Sequence, residues 1–342
     1  MAVLPDRFVD VEALEEYMTA PTAELVGDLA RVSGDIMVLG VGGKMGATLA
    51  RLAKRAAPDR RVIGVARFSA QGLREKLEAQ GVECIACDLL ERSALEKLPN
   101  AENIVFMAGH KFGAAGSPDF TWAMNVGAPF MVAETFNTAR SVVFSTACVY
   151  PFVDVHGRGA GESTPLLPPP GDYAASCVGR EMMFAYASRK FGNPAALLRL
   201  EYAIDMRYGV LYDIASRVAA GAPVDVTMGH VNVIWQGDAN AQALRLLAHC
   251  TSPATAFNVS GPEVVSVRWL AAEFGKRLGK SAQITGSEAP TAWLVDTERT
   301  QKLFGAPVVP LAKLIDWVSD WVARAMPSLG KDTHFSTRDG KY

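Results

Sequence analysis

A tyrosine and a cysteine one helical turn apart stand where proton-transfer chemistry could occur. The chain reads Tyr173-Ala-Ala-Ser-Cys177. A phenol that exchanges protons near neutral pH needs its pKa, ordinarily ~10, lowered by about three units, or ~4 kcal/mol. A positive charge about 4 Å away supplies ~4 kcal/mol at an effective dielectric near 20, whereas a neutral thiol supplies none. The sequence therefore raises the question of which cation assists Tyr173.

Four residues besides Tyr173 could take part in this chemistry. Arg180 shares a helix face with Tyr173 but lies about 10 Å further along the axis, which makes it a poor substitute for a neighbouring cation. Lys111 is the better candidate, because its loop follows a predicted strand and faces the edge of the sheet where ligands bind; the alternative is a solvated loop charge. Cys177 has no marked base nearby, so we expect it to fill space rather than act as a nucleophile. His110 is either a proton donor or a structural hydrogen-bonding group.

A glycine-rich turn lies between a predicted strand and a predicted helix. It reads Gly40-Val-Gly-Gly43-Lys44-Met45-Gly46. Glycines permit a tight turn and let the backbone approach a pyrophosphate, while the helix amino terminus offers amide donors. Because a second strand-helix unit follows, the pattern predicts a dinucleotide site formed by these residues.

The end of the second predicted strand indicates which dinucleotide is bound. A ribose with free hydroxyls would favour a carboxylate near Ala66, but the chain continues with Arg67. A guanidinium can pair with a 2′-phosphate and stack on adenine, and Lys44 could be a second cation. The sequence thus favours NADP(H), with NAD(H) left open, and the alternative is that Arg67 is a solvated loop charge.

Short apolar strands alternate with helices over most of the chain, which is typical of a doubly wound α/β fold with a parallel, Rossmann-like sheet. We predict a helical extension at 1–34, a dinucleotide-binding domain at 35–200, a substrate-binding lobe at 201–325 and a polar surface tail at 326–342. The predicted strands are 36–39, 61–65, 82–86, 103–107, 142–145 and 195–199, and the predicted helices include 47–57, 71–80, 129–140 and 173–191.

Composition excludes several classes of function. The 342 residues are 49% hydrophobic, and 34 basic against 36 acidic residues leave a net charge of -2 without long charged blocks. We therefore expect neither nucleic-acid nor membrane partners and no metal site. The absence of an apolar leader predicts a cytoplasmic location, and five scattered cysteines argue against a disulfide framework. Cys84 and Cys87 have redox spacing but lie in a predicted strand that points them to opposite faces.

From Asp35 to Ala325 the chain resembles the extended short-chain dehydrogenase/reductases, the NAD-dependent epimerase/dehydratase group. The resemblance rests on motifs that occur in the family's order. They are Gly40-x-x-Gly43-x-x-Gly46, Cys87-Asp88-Leu89, Met107-Ala108-Gly109, Met124-Asn125-Val126, Phe144-Ser-Thr146-Ala-Cys-Val-Tyr150, Glu162-Ser-Thr-Pro165, Tyr173 with Ser176 and Glu181, and Gln236-Gly-Asp238.

The resemblance implies roles for individual residues. Tyr173 would donate or accept the proton, Thr146 would hydrogen-bond a substrate oxygen, and Asn125 would complete the catalytic set as a structural polar residue. The cofactor-binding set would be Gly40, Gly43, Lys44, Met45, Gly46, Arg67, Asp88, Leu89, Ala108, Gly109, Lys111 and Cys177. Cys177 stands where the family has a lysine that holds the nicotinamide ribose and lowers the tyrosine pKa.

Two functions follow from these observations. The first is an NAD(P)-dependent oxidoreductase, epimerase or dehydratase that acts on a sugar-like hydroxylated small molecule. Family members that use nucleotide sugars usually carry an arginine shortly before the position of Asp238, but this chain has Gly229-His-Val-Asn232 there, and Arg207 is left as an anion contact or a surface charge. The second is a dinucleotide-binding sensor or structural protein without hydride turnover. The resemblance also implies a homodimer formed through helices 129–140 and 173–191.

Overall fold

A computed structural model describes residues 4–111 and 113–340 of the chain. Its centre is a sheet of seven strands, and every neighbouring pair in it is parallel. The strands are β1 (Ile36–Leu39), β2 (Val62–Ala66), β3 (Glu83–Ala86), β4 (Asn103–Phe106), β5 (Arg140–Thr146), β7 (Ala195–Leu200) and β12 (Thr255–Val259). The ends of the two predicted terminal segments, residues 1–3 and 341–342, lie outside the described residues.

The order of the strands across the sheet is β12-β7-β5-β4-β1-β2-β3. On one side of β1 lie β2 and β3, and on the other side lie β4, β5, β7 and β12. The direction in which strands are added to the sheet therefore reverses between β1 and β4. In an open parallel sheet, ligands bind beyond the carboxyl ends of the strands at such a reversal. This order confirms the predicted doubly wound, Rossmann-like α/β fold.

Helices cover both faces of the sheet and build the second lobe. They are α1 (Val11–Met18), α2 (Ala23–Ala30), α3 (Gly46–Ala56), α4 (Leu73–Ala79), α5 (Arg92–Leu95), α6 (Pro118–Trp122), α7 (Ala128–Thr135), α8 (Asp172–Phe191), α9 (Val210–Ala220), α10 (Gln236–Arg245), α11 (Val267–Leu278), α12 (Glu298–Phe304) and α13 (Leu311–Ala323). The helix predicted at 129–140 ends at Thr135, because the Arg140 amide already bonds the Glu102 carbonyl as β5 begins. Among the described residues, the structure contains no helix with the length and apolarity needed to span a bilayer.

Short strand pairs connect the sheet with the second lobe. They are β6 (Val153–Asp154) with β15 (Thr291–Ala292), β8 (Ala203–Ile204) with β11 (Ile234–Trp235), β9 (Val224–Asp225) with β14 (Ile284–Thr285), and β10 (His230–Val231) with β13 (Val265–Ser266). The second lobe has its own apolar core, to which Trp317 and Trp321 of α13 and Leu14 of α1 contribute.

The two cysteines with redox spacing are buried on different sides of the sheet. Cys84 belongs to the apolar cluster that contains Val38, and Cys87 belongs to the cluster that contains Leu39. Adjacent residues of β1 point to opposite faces. Burial raises the pKa of both thiols, to about 11 for Cys84. The two residues therefore pack separate layers of the core.

The carboxyl-terminal segment differs from the polar surface tail expected at 326–342. Thr333 and Phe335 are buried, and Phe335 joins the core of the second lobe. The amide of Leu329 bonds the Arg207 carbonyl at 3.1 Å, and Arg338 Nη1 donates to the Thr291 carbonyl at 2.7 Å. Residues 326–340, the carboxyl-terminal strap, are thus held against the second lobe by these contacts. The polar composition of the segment did not predict them, because the partners are distant in sequence.

Candidate active site

The glycine turn has the backbone shape that a close ligand approach requires. Gly40 directly follows β1 and has φ +95°, and a Cβ there would lie 2.6 Å from the Ala108 amide nitrogen. A Cβ on Gly46, at the start of α3, would lie 2.7 Å from the Val41 Cα. Both positions exclude larger side chains, because backbone atoms cannot move aside as a flexible side chain can. The turn therefore presents bare backbone and the amino terminus of α3 to the cleft.

Two adjoining cavities follow this cleft across the carboxyl edge of the sheet. The Arg67 cavity, of about 270 Å³, is lined by Arg67, Asp88, Leu89, Ala108 and Gly109 among others. The Tyr173 cavity, of about 290 Å³, is lined by Lys44, Met45, Gly46, Lys111, Thr146 and Tyr173 among others. Both include Gly40, Gly43 and Met107, so the glycine turn lies at their junction. The structure thus brings together all the predicted site residues except Asn125 and Cys177.

In the Arg67 cavity, the guanidinium lies in solvent at the rim. Its side chain is 62% exposed, and Nη1 lies 3.9 Å from Asp88 Oδ2. Asp88 Oδ1 also accepts a 3.0 Å hydrogen bond from the Leu90 amide, which fixes the loop after β3. Ala66 brings no carboxylate to this rim, and the charged side chain that directly follows β2 is Arg67.

Lys44 does not lie beside Arg67, where the sequence suggested a second cation for a 2′-phosphate. Its Nζ donates a 3.0 Å hydrogen bond to the Ala203 carbonyl and lies 4.1 Å from the centroid of the Tyr208 ring. The side chain crosses the Tyr173 cavity from the glycine turn to the second lobe. Burial lowers the pKa of Lys44 to about 7, an effect that nearby Asp205 opposes. The expectation failed because side-chain direction depends on the opposite lobe.

Tyr173 and Thr146 face each other in the Tyr173 cavity. Thr146 ends β5, and Tyr173 lies in the first turn of α8. Burial raises the pKa of Tyr173 well above its usual range, and the Cys177 and Cys148 thiols add to this increase. Arg180 and a hydrogen bond with Thr146 act in the opposite direction without cancelling it. At neutral pH the phenol therefore carries its proton.

Cys177 lies beneath Tyr173 and is completely buried. It lines neither cavity, so it offers no surface to a cofactor, in contrast to the role expected from its position. Burial raises the pKa of the thiol, although Arg180 and a hydrogen bond with Tyr173 partly oppose this. A neutral thiol packed against Val149 and Tyr150 fills space in the core.

Asn125 forms a hydrogen-bonding centre behind the cavity wall. It lies in a π-helical turn, Ala123–Gly127, and is fully buried. Its Oδ1 accepts from the His110 amide at 2.8 Å and from Arg180 Nη2 at 2.7 Å. Its Nδ2 donates to the His110 carbonyl and to Ser176 Oγ, each at 2.9 Å. Asn125 thus links the loop after β4 to α8. It supports the residues that line the Tyr173 cavity but does not line the cavity itself.

Of the two cations that the sequence offers to Tyr173, Arg180 and Lys111, Lys111 lines its cavity. Arg180 is 6% exposed and is used by the protein itself, donating to the Phe144 carbonyl at 2.8 Å as well as to Asn125. Lys111 lines the cavity, and its Nζ lies 5.6 Å from the centroid of the Tyr173 ring. The loop after β4 therefore brings a positive charge close to the phenol, as its place in the fold suggested.

A buried ion pair fixes the strands below the cavity. Arg199 Nη2 lies 2.7 Å from Glu181 Oε2, and Ser145 Oγ donates to Glu181 Oε1 at 2.5 Å. Arg199 Nη1 also donates to the Tyr150 hydroxyl at 2.7 Å. These contacts tie α8, β5 and β7 together directly beside Thr146. Arg207 is likewise committed to internal pairs, with Asp205 and Glu15, so it is not the surface charge considered from sequence.

The cavity also contains residues that the sequence analysis did not select. They include Glu201, Tyr202, Tyr208 and Thr333. Glu201 follows the apolar strand β7 directly, and an acid at the carboxyl end of a parallel strand is a recognisable signal. Thr333 belongs to the carboxyl-terminal strap, where its Oγ1 donates to Asp213 Oδ2 at 2.5 Å. No local pattern marks that contact, because it joins residues far apart in sequence.

Known proteins share this architecture. The UDP-glucose 4-epimerase of Thermotoga maritima, solved with UDP-glucose, is 16% identical and matches with a TM-score of 0.70 over 85% of this chain and 99% of its own. The UDP-glucuronic acid 4-epimerase of Bacillus cereus, solved with NAD, is 18% identical, with a TM-score of 0.70 over 85% and 99%.

A third structure, the dTDP-glucose 4,6-dehydratase of Streptomyces venezuelae with NAD bound, is 18% identical and matches with a TM-score of 0.71 over 85% of this chain and 97% of its own. At such identities these structures establish the fold. No curated protein matches the chain. The model of the NAD dependent epimerase/dehydratase family matches residues 36–224, more than half of the sequence. The chain belongs to the NAD dependent epimerase/dehydratase family.

Proposed function

We propose that the protein is an NAD(P)-dependent oxidoreductase, epimerase or dehydratase that acts on a sugar-like hydroxylated small molecule. The observation that carries this proposal is the convergence of the glycine turn, Thr146 and Tyr173 on one cavity. A dinucleotide along the two adjoining cavities would have its adenine end beside Arg67 and its nicotinamide end beside Tyr173. A substrate oxygen would then lie between Thr146 and Tyr173.

The residues present fit a dinucleotide. Gly40 and Gly46 leave the space that a Cβ would fill, and the backbone amides at the start of α3 suit a pyrophosphate. Ala108 and Gly109 would form the wall beside Met107, and Lys111 places positive charge in the nicotinamide half. When bound, the nicotinamide supplies hydride exchange.

The side chains of this protein would handle the proton. Tyr173 is protonated at neutral pH because burial raises its pKa, so it is ready to donate to a carbonyl oxygen as that oxygen gains charge. Thr146 would hold the same oxygen by a hydrogen bond. Removing a proton from a hydroxyl needs the phenolate, so this direction requires a higher pH than carbonyl reduction does.

A compact substrate suits the second lobe better than a nucleotide sugar. Asn232, in the segment before Asp238, is fully buried and donates to the carbonyls of Gly261 and Val295 at 3.2 and 3.0 Å. It thus has a structural role where a diphosphate clamp would be expected. The Thermotoga epimerase was solved with UDP-glucose, so nucleotide sugars belong in any panel of test compounds.

Cofactor choice and assembly complete the proposal. The exposed guanidinium of Arg67 and the missing carboxylate at Ala66 favour NADP(H), although two similar proteins were solved with NAD. A homodimer through α7 and α8 is supported by exposed apolar side chains on α8 and the adjacent α6, where Met182 is 49% and Trp122 41% exposed. We expect a cytoplasmic protein.

A second candidate function rests on Cys177. The neutral, buried thiol leaves the pKa of Tyr173 high, which suits a dinucleotide-binding sensor or structural protein without hydride turnover. Lys111 beside the phenol favours the enzyme instead. Turnover of any substrate would decide between the two functions.

The test is a turnover assay with a matched tyrosine control. The full chain is incubated with NADP⁺ or NAD⁺ and a panel of polyols, aldoses and nucleotide sugars, and both nicotinamide absorbance and product composition are measured. We expect Tyr173→Phe to lower turnover by about 10²–10⁴-fold, whereas Tyr186→Phe, on the exposed face of the same helix, should not. A wild-type chain that binds dinucleotide but converts no compound would favour the sensor.

A further inference from the structure

An acidic side chain enters the Tyr173 cavity from the end of β7. Thr146 and Leu200 are direct partners in the parallel register of β5 and β7, so Glu201 leaves the sheet one residue beyond that pair. Its backbone is held on both sides: its amide donates to the Val259 carbonyl at 3.0 Å and its carbonyl accepts from Ser260 Oγ at 3.1 Å. The fold therefore fixes the acid next to the strand that carries Thr146.

The carboxyl of Glu201 is buried without a hydrogen-bonding partner of its own. The residue is 3% exposed and lines the cavity. Within residues 4–111 and 113–340, no group donates a hydrogen bond to this carboxyl, and Lys111 is the charge that acts on it. Burial outweighs Lys111 and raises the pKa of Glu201 well above its usual range, which favours the neutral form of the acid.

A structural role does not account for this arrangement. Buried polar groups in proteins are almost always satisfied, because an unsatisfied one loses its hydration without compensation. The buried acids elsewhere in the chain follow this rule: Glu181 pairs with Arg199, and Asp205 pairs with Arg207. Glu201 differs in that its surroundings open into the cavity, where a ligand can provide the missing partner.

The chemistry of a neutral carboxyl defines that ligand. It donates one hydrogen bond and accepts others, which matches a hydroxyl or carbonyl group. Glu201 lines the Tyr173 cavity and does not line the Arg67 cavity, so the adenine half of a dinucleotide is beyond its reach. It directly follows Leu200, the register partner of Thr146, and Thr146 lines the same cavity. The proposed function assigns a substrate oxygen to Thr146.

We propose that Glu201 is a specificity-determining residue that hydrogen-bonds a hydroxyl or carbonyl group of the substrate beside the oxygen held by Thr146 and Tyr173. This inference rests on the proposed function and narrows it to substrates with at least two neighbouring oxygen functions. Compounds with an isolated hydroxyl leave the buried carboxyl unsatisfied, and a site built for a hydrogen bond rejects analogues that lack it.

The experiment uses the full chain, Glu201→Gln, Glu201→Leu and a control, Asp238→Asn. Asp238 is also a buried acid with a raised pKa, but it accepts from the Val309 amide at 3.0 Å and lines neither the Arg67 nor the Tyr173 cavity. On each protein we measure NADP⁺ and NAD⁺ affinity by calorimetry, turnover on vicinal diols, sugars and matched mono-alcohols, and thermal unfolding. Glutamine keeps the size and hydrogen-bonding capacity of the side chain, so it remains informative if leucine disturbs folding.

We expect turnover of vicinal diols and sugars to fall about 100-fold in Glu201→Leu and about 10-fold in Glu201→Gln, with dinucleotide affinity changed by less than about threefold. Asp238→Asn should keep its turnover. Unchanged turnover in both Glu201 variants of an active enzyme would overturn this inference and leave the proposed function standing. A loss of dinucleotide affinity beyond about tenfold would assign Glu201 to the cofactor instead. A wild-type chain that converts no compound defeats both proposals.

Discussion

Lys111 reaches over the ring of Tyr173, with Nζ 5.6 Å from the ring centroid. The two residues come from opposite sides of the cavity, one from the loop after β4 and the other from α8. A cation near a phenol stabilises the phenolate relative to the neutral form. Lys111 is thus placed to supply part of the charge that Cys177 cannot.

Replacing Lys111 tests this relationship through the pH dependence of turnover. With Lys111→Met, alcohol oxidation should require a more alkaline pH and should fall about 10-fold or more near neutrality. Lys111→Arg keeps the charge and should preserve most of the pH profile. Identical profiles in Lys111→Met and the wild type would show that Tyr173 works without this cation.

Replacing Cys177 tests the missing lysine directly. In Cys177→Lys, an ammonium next to the phenol should lower the pKa of Tyr173 and raise alcohol oxidation near neutral pH about 10-fold. The position is fully buried, so the same substitution should lower the thermal unfolding temperature. Cys177→Ser controls for the loss of the thiol. Dinucleotide binding without turnover in all three proteins would support the sensor function.

The stability of the chain should report the ionisation of Glu201. The pKa of Glu201 is raised in the folded chain, so Glu201 ionises at a lower pH, near ~4.5, in the unfolded chain. As the pH rises from there through the folded pKa, the wild type therefore loses stability relative to Glu201→Gln. Urea midpoints measured from pH 4 to 8 should therefore diverge on the alkaline side.

Asp238 is a second buried acid whose effect on the pH dependence of stability can be compared with that of Glu201. Burial raises its pKa from 3.8 to about 6, so the divergence between wild type and Asp238→Asn should develop between those two values and then stop. A constant difference between Glu201→Gln and the wild type across the whole range would contradict a neutral acid in the cavity.

Arg67 should determine the preference between the two dinucleotides. If its guanidinium pairs with a 2′-phosphate, Arg67→Ala should weaken NADP⁺ binding about 10-fold and leave NAD⁺ binding within about twofold. Arg74→Ala, an exposed arginine on α4, serves as the charge-matched control. Equal losses for both dinucleotides would show that Arg67 stacks on adenine without reading the phosphate.

The sequence revealed features that depend on local pattern. Alternating strands and helices specify the parallel sheet, and Gly40 and Gly46 mark the turn because only glycine fits their backbone surroundings. The family resemblance singled out Thr146 and Tyr173, because their motifs occur along the chain in the family's order. Each of these signals lies within a few residues of the feature that it predicts.

Features that depend on distant contacts were not predicted. Lys44 turns toward Ala203 because the second lobe accepts its hydrogen bond, and nothing near Lys44 in sequence encodes that lobe. Thr333 lies at the cavity and is held there by its hydrogen bond with Asp213. The pKa of Glu201 is raised because the residue is buried between segments that are distant in sequence. Side-chain direction and burial arise from packing between elements, which a periodic pattern does not contain.

The central claim is that a nicotinamide dinucleotide lies along the glycine turn with one end beside Tyr173. Calorimetry of the purified full chain with NADP⁺ and NAD⁺ tests it most directly, together with Gly40→Val, whose side chain would collide with the Ala108 amide. The account predicts one dinucleotide bound per wild-type chain and none by the folded Gly40→Val chain. A wild-type chain that binds neither dinucleotide would contradict it.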